Sequence, residues 1–248
     1  MNRAYLCIDL KSFYASVECV QRGLDPFQTP LVVADPSRGR GALCLAVSPK
    51  MKELGVRNRC RLFEIPPDIT YIAALPRMEL YMRTAAEIYG VYLRYVAPAD
   101  IHVYSIDEAF LDVTPYLKLY GLSARALARR IMADVRQTCG IPAAAGIGTN
   151  LFLAKAALDI IAKQEAEGIG ELDEHSYRQR LWHHQPLTDF WQVGRGMASR
   201  LARYGIYDMQ AVAQCPRKLL IDEFGVSGEY LHDHANGIEP VRIADIKA

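Results

Sequence analysis

Apolar positions along this chain fall into short continuous runs and helically spaced stripes, in an order that interleaves strands and helices. Tyr5-Leu6-Cys7-Ile8 predicts a buried strand over residues 4–9, and Ser12 to about Gln21 a helix after it. A second run, Leu31-Val32-Val33-Ala34, is followed by a short helix near Pro49–Leu54 that Gly55 stops. Tyr71 to Leu75 predicts another strand, and Met78 to about Val96 carries large apolar residues at helical spacing. Residues 101–104 and 109–113 read as two strands flanking Asp107-Glu108. Leu127, Ile131 and Val135 stand at i, i+4 and i+8 on a helix from Ser123, and Ala143 to Ile147 is a short strand. Thr149 or Asn150 then caps a helix through about Lys163. The order β-α-insert-β-α-β-β-α-β-α predicts an α/β (α+β) fold, a ferredoxin-like sheet interrupted by an inserted subdomain. From 169 to 240 the composition turns helical, with Trp182 and Trp191 and no clear strand. A separate small α-domain is expected there, with Glu165–Asp173 as linker and a tail after Gly237 that lacks a core of its own.

Composition narrows this little. A chain of 248 residues, half of them hydrophobic, is long enough for one large or two to three small domains. A formal net charge of +1 excludes no partner. The distribution is more informative: from Pro36 to Leu62 there are seven lysines and arginines against one acid, Glu53. Such a block is either a solvated surface or a phosphate-binding patch. The six cysteines are scattered without a Cys-x-x-Cys pair and read as small core residues. No signal peptide and no membrane-length apolar run is present, so a soluble, cytoplasmic protein is expected.

The chemistry concentrates in Ser105-Ile-Asp-Glu-Ala-Phe-Leu-Asp112, where an adjacent carboxylate pair interrupts an apolar, strand-like run. Buried carboxylates need a cation or hydrogen-bonded partners. Neighbouring strand residues point to opposite faces, so Asp107 and Glu108 converge only if the chain turns or bulges between them. Asp9, at the end of the first apolar run, is the third candidate. Three hard oxygen donors suit Mg²⁺ or Mn²⁺, and two such ions are the usual apparatus of phosphoryl and nucleotidyl transfer. A surface turn with solvated acids is the bland alternative.

Three motifs in register resemble those of the Y-family, or translesion, DNA polymerases. They are Asp9-Leu-Lys-Ser-Phe-Tyr-Ala-Ser-Val-Glu18, the Ser105–Asp112 stretch, and Gly146-Ile-Gly-Thr-Asn-Leu-Phe-Leu-Ala-Lys155 continued by Asp159 and Lys163. Ser48-Pro-Lys-Met-Lys52 and Asn58-Arg-Cys-Arg-Leu-Phe-Glu64 are most similar to the UmuC-like (ImpB/MucB/SamB) branch. The resemblance implies a palm over 1–20 and 78–168, fingers over 21–77 and a helical, helix-hairpin-helix thumb over 169–240. It also implies two Mg²⁺ ions, with Mn²⁺ as an alternative, held by Asp9, Asp107, Glu108 and the Leu10 carbonyl. Tyr14 becomes a steric gate against the ribose 2′-OH, with Phe13 beside it, and Lys52 and Lys155 reach the triphosphate. Phe190 to Ile206 reads as helix, tight glycine turn, helix, and Gly194, Arg195, Gly196 and Arg200 become DNA contacts. Primed DNA and dNTP are the implied partners, with a sliding clamp or other replication and repair proteins engaged through regions beyond this sequence.

The sequence departs from the family pattern at Pro49, where many relatives carry a Tyr on the triphosphate, and at Leu151, where a basic residue is common. Family members continue into a little-finger domain. Here residues 241–248 stand where that linker begins, which predicts weak DNA binding and poor processivity. Two other classes compete with the polymerase reading: another palm-type two-metal enzyme such as a nucleotidyl cyclase, and a non-catalytic DNA-binding or regulatory relative.

Overall fold

The computed structural model describes residues 3–246; positions 1–2 of the expected palm and 247–248 of the expected linker lie outside the described residues. Strand β1 (Tyr5–Leu10) leads into helix α1 (Phe13–Val20). The insert follows, with β2 (Leu31–Val33), β3 (Ala46–Val47), α2 (Pro49–Glu53) and β4 (Ile72–Ala74). It has its own three-stranded sheet, ordered β3-β2-β4. Ser48 starts α2 by accepting the Met51 N–H, and Pro49 sits in the first turn, where its missing N–H costs nothing. Val32 and Ala34 pack with Cys44, Val47 and Met51 in the insert, while Leu31 and Val33 face the main core.

The chain returns through α3 (Met78–Tyr92), the strands β5 (Ile101–Val103) and β6 (Glu108–Asp112), then α4 (Thr114–Tyr120) and α5 (Ala124–Cys139). It continues as β7 (Ala143–Gly148), α6 (Leu151–Ala156), a π-helical turn over Ala157–Ile161, and β8 (Ile169–Leu172). The main sheet is ordered β5-β6-β1-β7-β8. Its central strand, β1, is antiparallel to both β6 and β7. This is the mixed α/β, ferredoxin-like arrangement expected from the element order. Leu6, Ile8 and Leu10 share one core with Ile88 and Val91 of α3 and Leu127, Ile131 and Val135 of α5. Tyr5 and Cys7 pack on the other face with Phe110, Leu151 and Leu158. The period of two along β1 thus separates a helix-covered back from the face that carries Asp9.

Gly146 and Gly148 explain how α6 reaches that face. A Cβ at Gly146 would collide with the Ala154 carbonyl oxygen, and one at Gly148 with the Ala154 amide. Only glycine lets this helix press its backbone onto β7.

Helices α7 (Glu174–Leu181), α8 (Arg195–Ala202), α9 (Met209–Gln214), α10 (Arg217–Phe224) and α11 (Val226–Ala235) complete the chain, with the short α12 (Ile243–Ile246). Their core of Leu201, Met209, Val212, Leu220 and Leu231 is continuous with Phe152, Ala156 and Ile160 around α6.

Three local expectations are overturned. The stretch after Gly168 does contain a strand: β8 pairs in parallel with β7 from Ala145↔Ile169 to Gly148↔Leu172, inside the expected linker. Glycines and a glutamate hid it, because a parallel edge strand gains its stability from the partner rather than from β-propensity. Tyr71–Leu75 yields β4, which the element order set after the insert but which pairs within the insert's own sheet, inside the 21–77 span that the resemblance implied. Phe190–Val193 forms a turn with Gln192 at φ 66°, and the helix starts only at Arg195.

Candidate active site

Asp9 and Glu108 are directly opposite in the antiparallel β1–β6 pair, so their side chains share one face. The chain bulges just before β6. Both the Tyr104 and Ser105 amides donate to the Glu108 carbonyl at 3.0 Å, and the Leu10 amide donates to the Asp107 carbonyl at 2.9 Å. That bulge supplies the turn the sequence demanded, and it brings Asp107 against Asp9. Burial first, then Asp107 and Glu108, push the Asp9 carboxyl up to about 7, with Lys155 acting in the opposite direction. The Ser105 hydroxyl donates to Asp107 Oδ1 at 2.7 Å.

Lys155 lies buried beneath this face. Its Nζ donates to Glu108 Oε2 at 2.9 Å and to Asp159 Oδ1 at 3.0 Å. Burial alone would lower the ammonium; Asp159, the Cys7 thiol and Glu108 outweigh it and hold the pKa above the ordinary lysine value. Cys7 Sγ donates to Glu108 Oε1 at 3.1 Å. Glu108 is thereby tied down on both oxygens, and among the described residues no three acid, His or Cys side chains already enclose an ion-sized space. The donor chemistry nonetheless fits a hard divalent cation: burial and then the two acids beside it raise the Asp9 carboxyl, a penalty a cation would relieve, and all the oxygens are hard.

Lysines without carboxylate partners among the described residues ring the acids. Lys52 on α2 is lowered by desolvation and by the ammonium groups of Lys163 and Lys11, against the pull of Asp9. The Lys11 ammonium lies over Gly168. The first backbone bond inside α1 runs from the Ser16 amide to the Ser12 carbonyl, so the amides just before it are donors without intrahelical acceptors. The Ser12 hydroxyl, at a left-handed N-cap with φ 52°, is buried and has no partner among the described residues. An orphaned hydroxyl, free amides and three lysines form a cradle suited to an anion.

Tyr14 is half-buried on α1 and stacks on Tyr81, with ring centroids 4.4 Å apart and 13° between planes. Tyr81 Oη donates to Glu18 Oε1 at 2.8 Å, and Arg77 donates to both Glu18 oxygens at 2.9 and 2.6 Å. Arg22 completes the set on Glu18. Phe13 is buried in the main core. Pro49 opens α2, and Leu151 is buried with Tyr5 and Phe110. Behind the Ser105–Glu108 turn a cavity of about 420 Å³ is lined by Leu10, Ile88, Tyr89, Tyr92 and Ile106.

The remaining predicted residues lie on the helical part. Gly194, Arg195 and Gly196 are exposed at the start of α8, and a Cβ at either glycine would meet only open space. Packing therefore does not demand glycine here, whereas it does at Gly146. Arg200 is already engaged within the helical part: its Nε donates to Glu223 Oε1 at 2.6 Å and its guanidinium lies 4.6 Å from the centre of the Phe224 ring. Sequence reasoning missed Glu18, Tyr81 and Lys11, and it did not pair Lys155 with Glu108. Glu18 carried a usable signal, since it stands among the apolar positions of α1 between Val17 and Cys19.

The description of the impB/mucB/samB family matches residues 8–159. A Bacillus subtilis protein named for UV-damage repair, UvrX, is 36% identical over 235 residues, which is 94% of this chain and 55% of that protein. DNA polymerase IV 2 of Bacillus subtilis is 34% identical over 239 residues, covering 96% of this chain and 57% of the relative. The chain thus spans little more than half the length of these relatives. Among solved structures, that of DinB from Sulfolobus solfataricus superposes with a TM-score of 0.77 at 25% identity, over 96% of this chain and 69% of that one. With more than half of its length inside the family description and a shared fold, the chain belongs to the impB/mucB/samB family.

Proposed function

We propose that the chain is the nucleotidyl-transfer core of a translesion DNA polymerase, extending a primer 3′-OH with dNTPs on a DNA template. The observation that carries this reading is an acid cluster, Asp9, Asp107 and Glu108, ringed by lysines and free helix-start amides. Acids alone would repel a triphosphate, and lysines alone would only bind it. Together they match a cation–triphosphate pair, and relatives named DNA polymerase IV point to the same reaction class.

Asp9, Asp107, Glu108 and the Leu10 carbonyl would hold Mg²⁺, or Mn²⁺ in its place. When bound, such ions lower the pKa of an attacking hydroxyl and offset charge on the transferred phosphate. Lys155 holds the Glu108 carboxyl in place through its hydrogen bond to Oε2, and its own contact with phosphate would require sharing that role. Lys11 and Lys52 with the amides of α1 bind the triphosphate as point charges and donors. Tyr14, backed by Tyr81, presents a rigid ring against the sugar and so discriminates against a 2′-hydroxyl. In this reading 1–20 and 78–168 are the palm, whose sheet is extended by the edge strand β8 (Ile169–Leu172), 21–77 are the fingers, and the helices up to about 240 are the thumb. The exposed amides at Gly194–Gly196 and Arg195 take a DNA phosphate. Primed DNA, dNTP and a sliding clamp or other replication proteins are the partners in this reading. Among the described residues no helix is long and apolar enough to cross a membrane, and a cytoplasmic site of action accords with the reaction.

Primer extension on a short primed template, with Mg²⁺ and each dNTP offered singly, tests the proposal. Template-matched addition by the wild type and none by Asp107→Ala is the expected outcome. Template-independent product would point to a cyclase-like enzyme, and DNA binding without addition to a binding module.

A further inference from the structure

Helix α3 places Met82, Ala85, Ala86 and Tyr89 on one face, at i, i+3, i+4 and i+7. Large side chains hold the ends of that stripe and alanines its middle. Alanine keeps a helix stable but fills little space. The facing elements leave the space open: β5 ends at Val103, β6 begins at Glu108, and Ser105, Ile106 and Asp107 between them form the opposite wall. The result is the cavity of about 420 Å³ behind that turn.

Leu10, Ile88 and Ala109, which also line it, belong to the helix-covered core. Met82 and Val103 are 55% and 54% exposed and mark its opening. Tyr92 is only 4% exposed, yet its hydroxyl has no hydrogen-bond partner among the described residues. Burial above all raises this phenol, so it stays neutral and can both donate and accept. A buried hydroxyl left unpaired costs free energy that a polar ligand atom recovers. On the opposite wall the Ser105 hydroxyl donates to Asp107 Oδ1, and Asp107 Oδ2 has no partner among the described residues. Glu108 reaches the wall too, but Lys155 and Cys7 hold its two oxygens. Among the described residues no lysine or arginine lines the space, so it is separate from the anion cradle.

A volume within about 300–1,000 Å³, apolar walls and a few placed polar groups are the usual attributes of a small-molecule site. We infer that this cavity binds a small bicyclic arylalkyl ammonium ion with a ring N–H. The ring packs between α3 and the turn, its N–H donates to Tyr92 Oη, and the ammonium pairs with Asp107. An anion of the same shape meets only acids and is rejected. The inference rests on the polymerase reading only for its consequence: an ammonium on Asp107 competes with the divalent cation and so opposes nucleotidyl transfer.

Isothermal titration calorimetry of the 248-residue chain in Mg²⁺-free buffer tests this, with tryptamine as the probe. One saturable site per chain is expected. Tryptophol, with a hydroxyl in place of the ammonium, and indolepropionate, with the charge reversed, should each bind about tenfold more weakly or worse. Tyr92→Phe should weaken tryptamine about fivefold and tryptamine methylated on the ring nitrogen hardly at all. The same variant should melt no lower than the wild type, because it removes an unpaired hydroxyl. Ala85→Leu should abolish binding by filling the cavity, and Asp107→Asn should erase the preference for the ammonium. Millimolar Mg²⁺ should weaken tryptamine several-fold, since the two cations oppose each other reciprocally. Equal affinity for all three indoles, or tryptamine binding that survives Ala85→Leu, overturns the inference. So does a wild-type dimer in sedimentation velocity that Met82→Glu dissociates, which gives the opening to a second copy of this chain. Tryptamine binding indifferent to Mg²⁺, beside intact Mg²⁺-dependent primer extension, overturns the regulatory consequence. Absence of templated addition sinks the polymerase reading instead, while the Mg²⁺-free titrations still judge the cavity.

Discussion

Glu18 illustrates how much a single buried charge organises. Its side chain is fully buried and accepts from Arg77, Arg22 and Tyr81. Burial would raise its pKa, but those donors outweigh burial and hold it below the ordinary glutamate value. A depressed pKa contributes stability that is complete above the unfolded value and is lost as pH falls through the folded one. Urea denaturation of Glu18→Gln should therefore show a loss of about 2–4 kcal/mol at pH 7. The gap to wild type should shrink as pH falls below about 4. Ribonucleotide discrimination should weaken too, because Tyr14 stacks on the Tyr81 ring that Glu18 anchors. Lys155 has a second organising role, since its ammonium bridges Glu108 and Asp159. Lys155→Ala leaves these acids without their shared cation and should cost about 3 kcal/mol, again read by denaturation. The destabilised variant should regain more stability from millimolar Mg²⁺ than the wild type does, a thermal-shift comparison that reports ion binding without activity.

At the scale of elements, the contact of β7 with α6 decides whether Lys155 reaches the site at all. Gly148→Ala places a methyl group on the Ala154 backbone. No side chain there can yield, so a loss of at least about 3 kcal/mol, or failure to fold, is expected. Gly194→Ala is the contrasting case: open space surrounds the position, and denaturation should detect little change. Its effect should appear as weaker DNA binding, if α8 offers its first amides to a phosphate. The glycines look equivalent in the sequence, and only their neighbours separate a packing requirement from a surface one. The same holds for strand β8, whose residues carry no strand pattern and which exists because β7 leaves an edge to be paired.

At the scale of the whole molecule, the helical part is locked to the main sheet rather than tethered. Trp191 Nε1 donates to Tyr104 Oη at 3.0 Å, its ring lies against Phe110, and it stacks with His234. His234 in turn stacks on Phe152 and pairs with Glu239 at 2.9 Å. Trp191→Ala should remove the shared ring from this seam and lower stability by about 3 kcal/mol in denaturant titration. The charge pattern is also a whole-molecule property. A net charge of +1 conceals arginines that are paired with acids across the back of the sheet and left without them on the insert.

Periodicity and local chemistry determined the strands and helices around the site, the order of the main fold and the identity of the carboxylates. Those signals survive in sequence because they depend on neighbours one to eight positions away. Asp9, Asp107 and Glu108 announced themselves because acids in apolar runs demand a partner. The partner was decided only by tertiary structure: the bulge that turns Asp107 beside Asp9, the Lys155 ammonium on Glu108, the pairing of Arg200 with Glu223 and the burial of Glu18. Each depends on residues far apart in the chain meeting in a low-dielectric interior. There a charge's role is set by what it faces, and the chain's linear order does not contain that information.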